Sequence, residues 1–483
     1  MNYRAIAKSL GMLLCVEAVC MVPPLAVSLI YRQGDWLAFL ISIALLLAVG
    51  FGLRLIRQRN ANIYARDGFA IVAVGWLLVS AFGALPFVLS GAIPSVVDAL
   101  FESVSGFTTT GASILRDVEV LPRGVVFWRS FTHWMGGMGV LILMLAVMPS
   151  VKASTLHIMK AESPGPSPEK FVPQIGQVAR ILYFIYLAMT VLQVVLLLLG
   201  GMPLYDSLIH TFGTAGTGGF SSRNASVAAY GSVYLEMVIA IFMLLFGVNF
   251  SLYYSALKGN IKAVLRDAEL RFYLGTVAVA VLLITVNIIN VNHQSLGEAI
   301  RYSTFQVSSI ITTTGFATTD FTLWPAFSQL VLVLLMFIGA SAGSTGGGIK
   351  VIRVLLLFKC IKREIIKIIH PRSVYTVRIN GRAVSEEILT GVMAFFFIYI
   401  AIFAVSTLIL LLDIDDFTSA ATAVAATIGN IGPGLKMVGP MGNYADFNPL
   451  SKSVMTMCMI IGRLEIYPIL LLFAPAFWKR VNI

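Results

Sequence analysis

An all-α integral membrane protein of about ten transmembrane helices is the fold class this sequence predicts, on three observations. Only 12% of its 483 residues are charged and 58% are hydrophobic, against about 25% charged in a soluble domain; the mean hydropathy is +0.89. Apolar runs of roughly 20 residues, long enough to cross about 30 Å of hydrocarbon as helix, recur along the whole chain. Finally, 25 of the 34 Lys and Arg residues fall in six segments: Arg4 and Lys8, 54–66, 152–180, 258–271, 350–382, and Lys479–Arg480. Every second crossing ends on one of these, which is the positive-inside pattern and places both termini in the cytoplasm. The formal net charge of +11 is thereby explained by membrane insertion, and a nucleic-acid partner is not expected.

Residues 1–67 hold two helices, 9–31 and 36–56. The first is read as a retained helix and not a signal peptide, because Glu17 interrupts it and no clear small-x-small cleavage site follows. Residues 68–156 hold helices 68–90 and 125–149, with the short semi-apolar segment "DALFESVSGFTTTG" (98–111) between them. After a Pro-rich polar linker at 157–177, the pattern returns at 178–271: helices 178–200 and 232–257 flank "DSLIHTFGTAGTGG" (206–219). Residues 272–370 repeat it with 272–291, "YSTFQVSSIITTTG" (302–315) and 326–368, the last interrupted by a Gly-rich loop at 340–349. A short cytoplasmic connection at 371–390 leads to 391–483, where 391–412 and 449–478 flank "SAATAVAATIGNIG" (419–432).

The four short segments, under about 20 Å as helix, do not span and are expected to be re-entrant. Each ends on a glycine, Gly111, Gly219, Gly315 and Gly432, at intervals of 108, 96 and 117 residues. The chain is therefore a fourfold internal repeat. A second glycine recurs 28 residues further on at Gly139, Gly247 and Gly343, and 30 further on at Gly462. These are expected to disrupt the second helix of each unit near the middle or inner half of the membrane.

Non-helical backbone at membrane depth persists only when buried in protein or lining water. A Thr-Gly run there offers carbonyl and hydroxyl oxygens, and four such runs around one axis could replace the hydration shell of a monovalent cation. Glycine reaches the angles that turn successive carbonyls inward, and each short helix aims the negative end of its dipole at the same spot. One TTTG alone would be a tight polar turn; four repeat-related ones are not read that way. Acidic residues on the opposite loops (Asp35, Asp98, Asp117, Glu119, Asp206, Glu298, Asp320, Asp413, Asp415, Asp416, Asp446) are expected to gather cations there. The four cysteines show neither disulfide nor zinc spacing, and no HExxH or GxSxG motif marks an enzyme. "GSTGGGIK" (343–350) fails as a P-loop, because Ile349 precedes Lys350, no Ser or Thr follows, and no strand leads into it. Either a kink or a flexible gate fits it. Arg463 stands out as an arginine well inside a span, a costly position that implies a partner or a water path. Glu465 is wrongly spaced to be its helical partner. His133 is read as a packed polar residue, and Asn249 as a weak candidate for lining the pore.

Four M1–pore helix–M2 units after two extra helices, with "SGFTTTGAS", "TAGTGGFSSRN", "TTTGFATTD", "GNIGPG", "GSTGGGIK" and "GRLEIYP", resemble the Trk/Ktr/HKT superfamily of potassium transporters, its bacterial TrkH-type subunits most closely. The resemblance covers essentially the whole chain. It implies potassium uptake across a bacterial inner membrane through one central pore with a potassium-binding filter. By position, the filter residues are Thr109, Thr110 and Gly111; Thr217, Gly218 and Gly219; Thr313, Thr314 and Gly315; and Asn430, Ile431 and Gly432. It also implies a gate below the filter, made of Gly343, Ser344, Thr345, Gly346, Gly347, Gly348 and Lys350, with Arg463 beside the pore as an electrostatic barrier. A homodimer and a cytosolic nucleotide-binding (RCK/KTN-type, TrkA-like) regulatory subunit are implied as partners, with no nucleotide bound by this chain itself. A single repeat glycine per loop implies weaker discrimination against sodium than the TVGYG form. A less selective sodium/potassium channel, a cation-coupled symporter, and, from other classes, a membrane receptor or scaffold are the alternative readings.

Overall fold

The structure, a computed structural model, describes residues 1–56, 64–139, 175–289 and 295–478. Most of the 157–177 linker, residues 140–149 of the expected second helix of repeat 1, and the basic pair Lys479–Arg480 lie outside the described residues. Two helical stretches open the chain: α1 (Tyr3–Cys20) running into α2 (Val22–Ile30), then α3 (Trp36–Arg54). The first helices of the four units are α4 (Ala65–Gly83) continued by α5 (Leu85–Leu89), α8 (Ile175–Leu199), α13 (Ala268–Ile289) and α17 (Glu386–Leu410). The short helices are α6 (Val96–Phe107), α9 (Leu204–Gly216), α14 (Leu296–Ile311) and α18 (Phe417–Ile428). At 12, 13, 16 and 12 residues they measure about 18–24 Å, short of a bilayer.

Each short helix starts before the segment read from the sequence, because its cap lies upstream. Ser95, Ser295 and Asp416 accept from the backbone N–H three residues on, and Ser295 with Glu298 completes a capping box. Pro203 precedes α9.

Among the described residues, six helical stretches are long and apolar enough to cross a membrane: Tyr3–Ile30, Trp36–Arg54, Arg66–Leu89, Ala179–Leu199, Ala268–Ile289 and Glu386–Leu410. These are the two leading helices and the first helix of every unit. The second helices are missing from that set because they are short or broken. Repeat 2 has α10 (Val233–Phe246) and α11 (Phe250–Leu257), bent by 90°. Repeat 3 has α15 (Ala326–Ile338) and α16 (Val351–Ile369), separated by a twelve-residue loop; repeat 4 has α19 (Pro449–Arg463), α20 (Tyr467–Phe473) and α21 (Pro475–Trp478). In repeat 1, α7 spans Arg123–Gly137. A short α12 (Ile261–Leu265) lies between repeats 2 and 3.

The burial pattern is inverted relative to a soluble domain. The long helices expose leucines and valines such as Val191, Leu282 and Leu408, while 101–110, 209–218, 305–314 and 422–432 are buried without a gap although rich in Thr, Ser and Gly. One departure from an all-helical chain lies in the 371–390 connection: β1 (Arg378–Ile379) pairs antiparallel with β2 (Arg382–Ala383). Its turn, Asn380–Gly381, has φ of 50° and 78°, the left-handed pair that Asn-Gly hairpin turns require.

Candidate functional site: four loops around one axis

Each short helix ends in the same hydrogen-bonded cap. The residue two before the repeat glycine is left-handed: Thr109 (φ 54°), Thr217 (56°), Thr313 (60°) and Asn430 (55°). Its N–H bonds the carbonyl three residues back, at 3.1, 3.1, 3.1 and 3.3 Å. The next N–H, of Thr110, Gly218, Thr314 and Ile431, bonds five residues back to Ser105, Gly213, Ser309 and Ala426, at 2.8 Å in all four. This is a Schellman motif, with threonine or asparagine where glycine is usual. The repeat glycine then returns to positive φ: 77° at Gly111, 78° at Gly219, 83° at Gly315 and 95° at Gly432. The left-handed angle therefore falls at every other residue, which turns successive carbonyls toward one side.

The loops close on each other in sequence order. A methyl group on Gly111 would lie under 3.0 Å from the Gly218 carbonyl oxygen, one on Gly219 from that of Thr314, one on Gly315 from that of Ile431, and one on Gly432 from that of Thr110. The cycle runs 1–2–3–4–1. The carbonyls of Thr109, Thr110, Thr217, Gly218, Thr313, Thr314, Asn430 and Ile431 accept no backbone hydrogen bond. The hydroxyls are used differently from the expectation that they line the axis. Thr108 and Thr110 hydroxyls pair with each other at 2.7 Å, and Thr312 with Thr314 at 2.8 Å. Asn430 Nδ2 donates to Thr110 Oγ1 (3.0 Å) and to the Met459 carbonyl (2.9 Å). Most of the hydroxyls brace the loops, so the free oxygens are the carbonyls together with the Thr109 hydroxyl, which has no hydrogen-bond partner among the described residues.

The four glycines line one cavity together with Ser113, Ser221 and Tyr444. Several of the acids expected on this side are paired with cations. Asp446 pairs with Arg116, Glu119 with Arg223 (3.5 Å) and Asp98 with Lys452 (2.7 Å). Asp416 pairs with Lys436 (2.7 Å); that ammonium and the Ser419 hydroxyl hold its carboxyl down at about 2.

Beneath the loops lies a second cavity, lined by Gly139, Gly343, Ser344, Gly346, Gly347, Lys350, Gly462 and Arg463. The 339–350 loop sits against the undersides of repeats 3 and 4. Gly347 N–H donates to Thr313 Oγ1 (2.7 Å), and a methyl on Gly346 or Gly347 would strike the Thr312 or Gly429 carbonyl. The loop is tied laterally to the α10–α11 break: Ser341 N–H to the Gly247 carbonyl (3.1 Å), Phe250 N–H to the Gly343 carbonyl (3.0 Å), and Thr345 Oγ1 to the Phe246 carbonyl (3.2 Å). Gly348 packs on Gly339 at the loop's neck, and Lys350 (φ 76°) folds its ammonium back onto the Gly346 carbonyl. Arg463 donates to the carbonyls of Thr345 (2.7 Å), Gly137 (3.0 Å) and Gly136, fastening the loop to the C-terminal end of α7. All sequence-identified gate residues are thus brought together.

Three features depart from the sequence reading. Gly462 does not break its helix; a methyl there would strike the Ile428 carbonyl, and the break follows at Glu465 and Ile466, with φ of 55° and 72°. Arg463 is not the most enclosed arginine: it is half-buried, whereas Arg129 and Arg353 are buried, each neutralised by a carboxylate, Glu102 and Glu465 respectively. Asn249 caps α11, its Oδ1 accepting from Ser251 N–H (2.9 Å), and faces Gly343. His133 is packed, as expected, stacked on Phe220 with ring centroids 4.1 Å apart. Glu269, which the sequence did not single out, accepts from Ala342 N–H (2.6 Å) and so ties the loop to the start of α13. A carboxylate at the very start of an apolar span was the available signal. No group of three His, Cys, Asp or Glu side chains suited to a metal ion occurs among the described residues.

A family model described as TrkH, cation transport protein, matches residues 37–480. The Trk system potassium uptake protein TrkH of Salmonella typhimurium is 39% identical over 99% of this chain and 100% of its own. The Trk system potassium uptake protein TrkG of Escherichia coli K12 is 34% identical over 99% of each. The crystal structure of the potassium transporter TrkH from Vibrio parahaemolyticus aligns with a TM-score of 0.90 at 36% identity, covering 99% of this chain and 100% of that one.

Proposed function

This chain belongs to the TrkH family of cation transport proteins, which are transporters and not enzymes, and on that premise we propose that it takes up potassium across a bacterial inner membrane through the axis of its four loops. The observation that carries the reading is the closed cycle in which each repeat glycine abuts the next repeat's carbonyl. An ion on the axis meets the carbonyls of Thr110, Gly218, Thr314 and Ile431, with those of Thr109, Thr217, Thr313 and Asn430 one layer deeper. Carbonyl dipoles of this kind substitute for water around a dehydrated potassium ion. The ion leaves through the lower cavity when the 339–350 loop withdraws, and Arg463 and Lys350 place positive charge on that exit. Relatives named as parts of a Trk system support a further component, for which the basic 350–382 stretch is the docking face. A homodimer with one pore per chain completes the proposal.

The test is rubidium uptake into proteoliposomes, with sodium as competitor and Gly315→Ser beside wild type. At φ 83°, with the Ile431 carbonyl under 3.0 Å away, a side chain there displaces the ring, and uptake should fall to background. Uptake of rubidium by the mutant at the wild-type rate would overturn the filter; equal preference for sodium and rubidium in wild type would establish the less selective pathway instead.

A further inference from the structure

The four loops are built alike toward the axis but are buttressed from behind by four different side chains. Nine residues before each repeat glycine stand Glu102, His210, Gln306 and Ala423. The first three reach forward to their own loops just past the glycine. Glu102 accepts from Ser113 Oγ and Ile114 N–H, each at 3.0 Å. His210 Nε2 bonds Ser221 Oγ at 3.0 Å, and Gln306 Nε2 donates to the Thr319 carbonyl at 3.5 Å. In repeat 4, with alanine at that register, the neighbouring Thr422 accepts from Leu435 N–H at 3.0 Å.

Only repeat 1 uses a charge, and only there does the buttress cross to the next repeat. Arg129 of α7 pairs with Glu102, both side chains at most 4% exposed. Its guanidinium also lies 3.4 Å from the centroid of the Phe220 ring and donates to the Ser221 carbonyl at 3.4 Å. Phe220 and Ser221 directly follow Gly219, and Ser113 and Ile114 follow Gly111 after Ala112. The one buried ion pair behind the ring therefore clamps the upper ends of loops 1 and 2 to each other.

We propose that Glu102 and Arg129 are positioning residues for ion discrimination: together they fix the separation of loops 1 and 2, and with it the size of the carbonyl ring. The physical argument is that a ring of carbonyls discriminates between ions of different radius only as far as its walls resist moving. A buried charge pair held by further hydrogen bonds is stiffer than the neutral contacts behind loops 3 and 4. The pair touches no ion itself. Its influence passes through the backbone of Ser113–Ile114 and Ser221. This inference rests on reading the loops as the ion filter.

The experiment measures, in proteoliposomes, the ratio of the sodium inhibition constant to the rubidium KM, using protein that elutes as a single species in detergent. A loss of folded protein lowers the maximal rate and leaves this ratio unchanged. Glu102→Gln leaves the Arg129 charge buried without its partner and risks misfolding. It is therefore accompanied by the neutral double variant Glu102→Gln/Arg129→Gln and by Ser113→Ala, which leaves the ion pair intact and removes one loop contact. Sodium should compete roughly fivefold better, or more, in the first two and to a smaller degree in Ser113→Ala. Glu236→Gln serves as control, because its pair with Arg301 (3.3 Å) joins α10 to α14 away from the loops; its ratio should match wild type. A double variant that stays within about twofold of wild type, or a Glu236→Gln shift as large as that of Glu102→Gln, overturns the proposal. Gly315→Ser run alongside separates the two levels: if it transports normally the filter reading itself fails, whereas loss in Gly315→Ser with an unchanged double variant removes only the clamp.

Discussion

At the scale of single residues, the site is held by positions whose backbone opposes their side chain. Thr109, Thr217 and Thr313 are β-branched and left-handed, a combination that costs on the order of 1–3 kcal/mol each and persists only where the surroundings over-determine it. The Schellman bonds supply that constraint at all three, joined by the hydroxyl pairs that flank Thr109 and Thr313. Arg463 is held in the same manner, by three carbonyls on two other segments. Arg463→Ala therefore has two expected effects. It leaves buried carbonyls of Gly136, Gly137 and Thr345 short of donors, lowering stability by about 1–3 kcal/mol, and it releases the gate loop while removing positive charge from the exit. Rubidium flux per folded protein should rise severalfold. Arg463→Lys, a point charge that does not fork across three acceptors, should fall between. Flux equal to wild type in both variants would remove Arg463 from the gate.

At the scale of elements, the proposed gate loop replaces a helix. Residues 339–350 use neighbours for the backbone bonds that a continuous α15–α16 would make internally: the Gly247 and Phe246 carbonyls from repeat 2, Thr313 Oγ1 from the loop above, and Glu269 from below. Removing one external tie should loosen the loop without unfolding the helices. Glu269→Ala, which deprives Ala342 N–H of its acceptor, is expected to raise basal rubidium flux severalfold, with a thermal midpoint in detergent within a few degrees of wild type. A lowered midpoint with unchanged flux would make Glu269 a structural residue only. The sequence located this loop through its run of glycines, since Gly343 and Gly348 take left-handed angles that other residues avoid. It could not locate the ties. Glu269 to Ala342 spans 73 residues, and Arg353 to Glu465 spans 112, and no local pattern encodes such pairs. For the same reason Gly462 was misread: glycine marks a close approach of two backbones as readily as a helix break, and only the partner, the Ile428 carbonyl, distinguishes them. The β1–β2 hairpin was legible in principle, because Asn380–Gly381 is a strong turn signal, but its flanking strands of two residues each are too short to show alternation.

At the scale of the whole molecule, the repeat was legible because it is written in spacing, whereas the order of the loops around the axis is a property of closure. Four units joined in sequence could be placed around an axis in more than one order; the glycine-to-carbonyl cycle fixes the order as 1–2–3–4. The same cycle gives the ring two faces, with the shared cavity of the four glycines on one and the cavity lined by the 339–350 loop on the other. Charge suggests which compartment each face meets. The proposed gate loop continues through α16 into 350–382, the most basic of the six Lys/Arg segments, so the positive-inside rule predicts that the lower cavity faces the cytoplasm. This assignment is open to a direct check with cysteines placed at two exposed sites on either side of the ring, Val120→Cys between α6 and α7 and Lys262→Cys in α12, in a background where Cys15, Cys20, Cys360 and Cys458 are replaced. In right-side-out vesicles a membrane-impermeant thiol reagent should label position 120 and leave 262 unmodified, and inverted vesicles should reverse the result. Labelling of 262 from outside would invert the molecule, turn the proposed gate toward the exterior, and make the pathway one for release of potassium in place of uptake.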